Sequence, residues 1–410
     1  MRIPTYDQFQ RNASMISKGF DQMSRLEYQV STGKKLMDSS DDPSLAFQIK
    51  SHEDYLNLLQ SYGDNVHVAQ NRASLLETSM QGLTSLGGDV EILLKKAQNG
   101  TLGDADRKAL AEQLQGKLNN LFHLANTQDA DGQYVYSGIN ATVPAYQQVN
   151  GSYQYQGSSS PLMINVSPNM DMLYGEAGNK IFDRIYSGNG TFSITAPSSN
   201  QGSAFLSPGT VNTANYVSDQ YSIQFVTNSN GELAYQVTGV NTGQIIPAPP
   251  ATTPQNAPVV TSGMGISFNG VSLTVQGQPV AGDSFQIQPS TSHNVFDLLQ
   301  GAINVLKTPV TNQGNYNQLM SQTSAAFSQV LNQFTQRQAE IGTQAATIYD
   351  LQDSSKVNIN NEEIALGKLE NADMNAAVSA LAQQSLILQA TQESYMKMQD
   401  VLEKMMQLRS

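Results

Sequence analysis

Apolar residues fall on a heptad stripe at each end of this chain. Toward the N-terminus the stripe is Phe9, Ala13, Ile16, Phe20, Met23, Glu27 and Val30. Toward the C-terminus it is Met374, Val378, Leu381, Ser385, Leu388, Gln392, Tyr395, Gln399, Leu402 and Met406. Both alternate steps of four and three, which keeps one face of an α-helix apolar. Chain ends are usually polar and loose. Ordering a residue costs ~1–2 kcal/mol of backbone entropy, and a lone helix recovers too little burial to offset it. Residues 1–40 and 370–410 are therefore expected to be disordered in a monomer and to fold against neighbours. Phe9, Ile16, Phe20, Met23, Val30, Val378, Leu381, Leu388, Tyr395, Leu402 and Met406 are the expected assembly surface. Glu27, Ser385, Gln392 and Gln399 are read as its solvated edge, with register-fixing as the alternative.

Further helices follow from punctuation. The first should end near Gly33. Asp42 is a good N-cap and Pro43 suits the first helical position, where a missing N–H costs nothing. A long helix is expected over 43–98, with Gly82, Gly87 and Gly88 as candidate kinks. Asp104 is the expected cap of a third helix over 105–128. Helices are also expected over 294–306 and, after Pro309, over 315–352. The last would be about 55 Å long at ~1.5 Å per residue.

The middle of the chain changes character. Residues 146–292 hold 11 of the 15 prolines and only eight charged residues. Alternating runs at 221–226, 234–237 and 271–275 predict strands. Asn230-Gly231 and Asn269-Gly270 are hairpin signals. Pro247 to Pro258 reads as a proline-rich loop. The expected architecture is α+β and multidomain. A long antiparallel helical stalk is built from both termini, with an all-β domain inserted. The expected parts are 1–40 with 370–410, 41–145 with 293–369, and the insert 146–292. The insert is read as displayed outward, with modest lateral contact.

Charge removes one class of partner. With 22 Lys and Arg against 34 Asp and Glu, the formal net charge is −12. Nucleic-acid binding through a broad basic face needs clustered cations, and Lys34-Lys35 and Lys95-Lys96 are isolated pairs. The absence of cysteine excludes disulfides and thiolate chemistry within this sequence. No apolar run is long enough to suggest a membrane span, and the N-terminus lacks a signal-like apolar stretch.

No catalytic, cofactor or metal site is predicted. His52, His67, His123 and His293 form no HExxH pattern, and no GxSxG elbow or phosphate-binding loop occurs. Gly263-Met264-Gly265 reads as a strand-edge turn. Asp104, Asp106, Asp129 and Asp131 lack an EF-hand ladder and are read as capping residues. Tyr146, Tyr153 and Tyr155 could stack on a sugar, but strand residues at a domain edge are the simpler reading.

Two motifs carry a resemblance. Ser31-Thr32-Gly33-Lys34-Lys35-Leu36 followed by Asp41-Asp42-Pro43 is similar to the N-terminal signature of bacterial flagellins and their axial relatives. Leu369 to Val378 and Leu386-Ile387-Leu388-Gln389-Ala390-Thr391 resemble the matching C-terminal signature. Gly33, Asp41, Asp42 and Pro43 are the signature residues. The opening Met1-Arg2-Ile3, the insert around Ile266 to Phe285, and the polar C-terminal end favour the hook-associated branch over filament flagellin. The resemblance implies a flagellin-like structural protein at the junction of hook and filament, serving as a platform for flagellin. It also implies extracellular location, export through the flagellar type III apparatus without a cleaved signal, and a ring of copies of the chain. The first hook-associated protein would lie on the hook side and flagellin on the filament side. An export chaperone would hold the C-terminal helix. Filament flagellin is the alternative, and a secreted adhesin a remoter one.

Overall fold

A computed structural model describes residues 3–100, 102–246 and 256–407. Six helices frame it: α1 Ile3–Thr32, α2 Pro43–Ala97, α3 Asp104–Ala125, α4 Val295–Lys307, α5 Gln313–Glu370 and α6 Met374–Gln407. Short strands fill the region between α3 and α4. The fold is α+β, with helices at both ends of the chain and a β-rich centre. Most of the proline-rich loop lies outside the described residues.

Local chemistry explains the helix boundaries. Asp42 Oδ1 accepts from Ser44 N at 3.1 Å and Leu45 N at 3.0 Å, so it caps α2 ahead of Pro43. The expected Asp104 cap is corrected. Asp104 lies inside α3 and pairs with Arg107, while Asp106 reaches back to Gly103 N at 3.3 Å. Both acids sit in the first turn, where the helix dipole favours them. α2 runs through Gly82, Gly87 and Gly88 without a break. Gly87 has a packing role instead: a Cβ there would meet Leu331 Cδ1 at 3.2 Å. α5 continues past the expected end at 352, because no strong breaker interrupts it before Asn371.

The chain divides into two compact units, residues 1–65 with 351–410, and residues 66–350. Within the second, two apolar clusters stand out. The first joins helix residues Leu83, Leu114, Phe296 and Phe334 to Tyr146, Tyr153, Ile181, Phe182 and Ile185. Aromatic rings pack at its centre, with Phe296 4.7 Å from Tyr146 and 5.1 Å from Tyr153, centroid to centroid. The first part of the insert therefore belongs to the helical core, which differs from the single β-domain read from composition. The cause is its apolar side chains: a hairpin over Tyr146–Val149 and Ser152–Tyr155 is too small to bury them alone.

The second cluster is the β core. One antiparallel sheet has the order Ile245–Ile246, Leu233–Gly239, Tyr221–Thr227, Ser284–Pro289, Phe192–Thr195. Tyr235 lies opposite Phe225, and Val237 opposite Ile223. A second sheet centres on Val271–Gln276, flanked by Gly265–Phe268. Phe225, Phe285 and Ile287 from the first sheet share their cluster with Leu206, Val271 and Val275 from the second. Asn269 and Gly270, both at positive φ, turn the hairpin between Phe268 and Val271. A Cβ on Gly270 would also sit 2.6 Å from Tyr216 N, so the turn needs glycine twice over.

Buried polar groups tie these layers together. Arg72, 3% exposed, donates to Tyr174 O at 3.0 Å and Tyr134 O at 3.2 Å, and pairs with Asp129. Burial pulls its pKa below the usual arginine range, opposed by the Asp129 charge. Asp283 accepts from Gln201 N at 2.8 Å and Val280 N at 2.9 Å, closing the loop around Gly202. Neither role was visible in the sequence, because both depend on contacts made across the fold.

Candidate assembly surface

α1 and α6 pack antiparallel, with Gly19 of α1 buried tightly against α6. A Cβ on Gly19 would lie 3.0 Å from Leu388 Cδ1 and 3.4 Å from Gln384 Nε2. Gln384 Nε2 donates to Gly19 O at 3.3 Å. Leu388 is 6% exposed and Ala377 5%. Ile16, Met23 and Leu26 of α1 are half-buried, as are Leu381 and Tyr395 of α6.

This contact divides the expected seam. Ile16, Met23, Val30, Leu381, Leu388 and Tyr395 lie at least partly covered. Phe20 and Val378, each 50% exposed, do not. Each follows directly after a small buried residue, Gly19 or Ala377, and so sits about 100° round the helix from it. Backbones approach most closely at the small side chain, so that residue takes the inner position. The side chains of Phe9, Leu402 and Met406 lie outside the described residues. Other apolar side chains remain uncovered on the pair: Met15, Phe20, Leu386, Ile387, Met396 and Val401 are each about half exposed or more.

The two signature motifs meet at the base of this pair. Gly33 has φ +73°, the left-handed position that ends a helix. Its carbonyl accepts from Ala372 N at 2.8 Å, and Lys35 N donates to Glu370 O at 2.7 Å. Lys34 pairs with the Glu370 carboxylate, which raises the lysine pKa. Asp41 meets Arg25 at 3.0 Å, and Asp373 caps α6 through Ala376 N at 3.1 Å. Gly33, Asp41, Asp42 and Pro43 thus build the turn from α1 to α2, joined by backbone bonds to the break between α5 and α6.

The rest of this unit repeats the theme. α2 and α5 approach closely at Gly63, where a Cβ would lie 3.2 Å from Ile359 Cδ1. His52 Nδ1 faces Glu362 Oε1 across the same two helices. On the outer side of α2, Phe47 is 76% exposed, with Tyr55 and Leu58 on the same face. Val357 and Ile364 of α5 are also exposed.

Little else suggests a chemical site. Among the described residues no three His, Asp or Glu side chains gather as metal ligands. No described helix is long and apolar enough to cross a membrane. Tyr146 and Tyr153 are buried, so they offer no sugar platform.

Residues 3–141 match the family described as the bacterial flagellin N-terminal helical region. Flagellar hook-associated protein 3 of Escherichia coli K12 is 30% identical over 191 residues, 46% of this chain and 58% of that protein. The crystal structure of flagellar hook associated protein-3 from Legionella pneumophila matches at TM-score 0.73 and 29% identity, over 78% of this chain and 98% of that one. The flagellar junction protein FlgL from Legionella pneumophila matches at TM-score 0.68 and 30% identity, over 74% of this chain and 99% of that one. This chain belongs to the hook-associated protein 3 family. It spans 58% of the length of the curated relative from Escherichia coli.

Within a hook-associated protein 3 framework, the residues missed by sequence reading are Gly19, Ala377 and Gln384. The signal was present but weak. Ala377 and Gln384 continue the seven-residue spacing through Thr391 to Met398. A row of small and polar residues does not stand out in a search for apolar ones.

Proposed function

We propose that this chain is a structural protein of the bacterial flagellum, outside the cell, that forms a ring at the junction of hook and filament and provides the platform for flagellin. The observation that carries this reading is the α1–α6 pair, whose exposed apolar side chains call for a partner. Family membership supports an assembly in which such a partner would exist. Copies of the chain would cover these side chains laterally, the first hook-associated protein would meet the hook side, and flagellin the filament side. Before assembly, residues 1–40 and 370–410 would be loosely ordered, and an export chaperone would cover the C-terminal helix.

Deleting the gene tests the reading. Expected are intact hooks without filaments, and flagellin monomer in the medium. Normal filaments on the deletion strain would overturn it. The flagellin match over residues 3–141 gives filament flagellin as the second reading. Purified protein that grows long fibres in salt would support that instead.

A further inference from the structure

We infer that two sites on opposite flanks of α5, within residues 66–350, are the two halves of one head-to-tail contact between copies of this chain. The inference rests on the ring proposed above.

The first site is a basic pocket of about 320 Å³. Lys180, Arg184, Arg337 and Tyr186 line it, with Gln333 at its floor. It is a built feature. Gln333 Nε2 lies 2.9 Å from Lys180 O, 3.0 Å from Ile181 O and 3.1 Å from Asp183 O, which pins the turn onto α5. Lys180 faces Glu176 at 3.8 Å, and Arg337 pairs with Glu340 at 2.6 Å. Among the described residues Arg184 has no ion-pair partner. Its neighbour Asp183 feels the Arg184 charge but takes its hydrogen bond from Tyr146, accepting from the phenol OH at 2.9 Å. Arg184 also holds φ +62°, a conformation that side-chain-bearing residues rarely adopt. An unpaired cation at a strained position is an outlier that points to use.

The second site is a polar groove of about 670 Å³, lined by Glu77, Thr78 and Gln81 of α2 and Thr335, Gln338 and Gly342 of α5. The Glu77 carboxylate overlies Gly342, with Oε1 3.8 Å from the position a Cβ would occupy. Among the described residues it too has no ion-pair partner. The chain thus carries one surplus cation in the pocket and one surplus anion in the groove.

Their placement makes them complementary. Phe327, Val330, Phe334, Ile341 and Ile348 point from α5 into the core. The pocket residues Gln329, Gln333 and Arg337 lie to one side of that stripe, and the groove residues Thr335, Gln338 and Gly342 to the other. The two sites are centred ~8 Å apart along the helix, at ~1.5 Å per residue. Surfaces on opposite flanks of one element meet only when copies stack head to tail, which is how a ring closes. A two-fold axis through either site would set that site against its own copy, with like charges opposed.

The absence of cysteine gives a clean test. In cells carrying the doubly substituted chain Thr78→Cys and Tyr186→Cys, a short bis-maleimide applied to intact flagella should give a covalent ladder of dimers and higher oligomers. Each single variant should stay monomeric. Adding Glu77→Arg should cut the ladder at least tenfold, and adding Arg184→Glu as well should restore at least half of it. A monomer-only result in filament-bearing cells would overturn the contact while leaving the junction role standing. A ladder from Tyr186→Cys alone, or a yield indifferent to Glu77→Arg, would overturn it equally. If the first pair costs the cells their filaments, Gln81→Cys with Tyr186→Cys is the second placement, read by the same criteria. Filaments on the deletion strain would instead remove the junction role, and this contact with it.

Discussion

The α1–α6 pair and the helical core of residues 66–350 are both built from amphipathic helices, yet they bury their residues to different depths. In the core, Phe182, Phe296, Phe327 and Phe334 are each no more than 1% exposed. In the pair, Leu388 and Ala377 are the large and small members of a thin contact, and Phe20, Leu386 and Ile387 face outward. A large side chain fully buried contributes ~1.5–3 kcal/mol, and a half-exposed one a fraction of that. The core can therefore offset more of its ordering entropy within one chain than the pair can. Under the proposed junction role, a chain that stays unassembled until it reaches its destination would gain from that split.

The strongest way to break the comparison is Leu388→Asp. It places a charge against Gly19 and Gln384, where burial without a partner is costly. Filaments should be lost, while the thermal transition of residues 66–350 stays unchanged. If mutant cells still build filaments, the pair is not the assembly element. The converse variant, Phe296→Ala, empties a site ringed by Tyr146, Tyr153 and Phe182. It should cost ~3–5 kcal/mol in denaturant unfolding of the purified chain. A cost under ~1 kcal/mol would mean that the aromatic cluster is not the stabilising centre.

Hydrogen exchange on the monomer sharpens the contrast without mutation. Amides of 380–395 should exchange fast and those of α2 near Leu83 and Leu94 slowly, following local contact density. Equal protection in both regions would remove the argument for folding on assembly.

The sequence made the helices legible because their signals are local. Asp42-Pro43 announced α2, and the heptad spacing announced α1 and α6. The Asn-Gly pairs likewise marked both hairpins. What it hid was the partner of each face. Phe20 and Val378 satisfy the stripe as well as Ile16 and Leu381 do. Only the close approach at Gly19 and Ala377 decides which row turns inward. Arg72, Arg184 and Glu77 were illegible for a related reason, since a lone charged residue shows nothing until its neighbours are placed. The insert's boundary was blurred because Tyr146 and Phe182 resemble strand residues in composition but pack as core for α3, α4 and α5.

The smallest effect expected is a pH dependence confined to the core. Burial raises the pKa of Tyr136 and Tyr146 well above the usual phenol range, and that of Tyr155 to about 12. Hydrogen bonds to Ser79 and to Gly178 N oppose the shift at Tyr136 and Tyr155 without cancelling it. In the unfolded chain these phenols ionise near their ordinary value of about 10. Above that pH the folded state holds more protons than the unfolded one, so stability falls as pH rises. For Tyr155 the loss runs from about pH 10 to about 12 and is absent at neutral pH. The exposed face of the α1–α6 pair has no such buried phenol among the described residues. Phenolate absorbance followed against circular dichroism should therefore show a late group of tyrosines that ionise together with core unfolding. Smooth titration of every tyrosine near pH 10 with the fold intact would show that the core is wetter than its packing implies. The contrast with the terminal pair would then be one of degree.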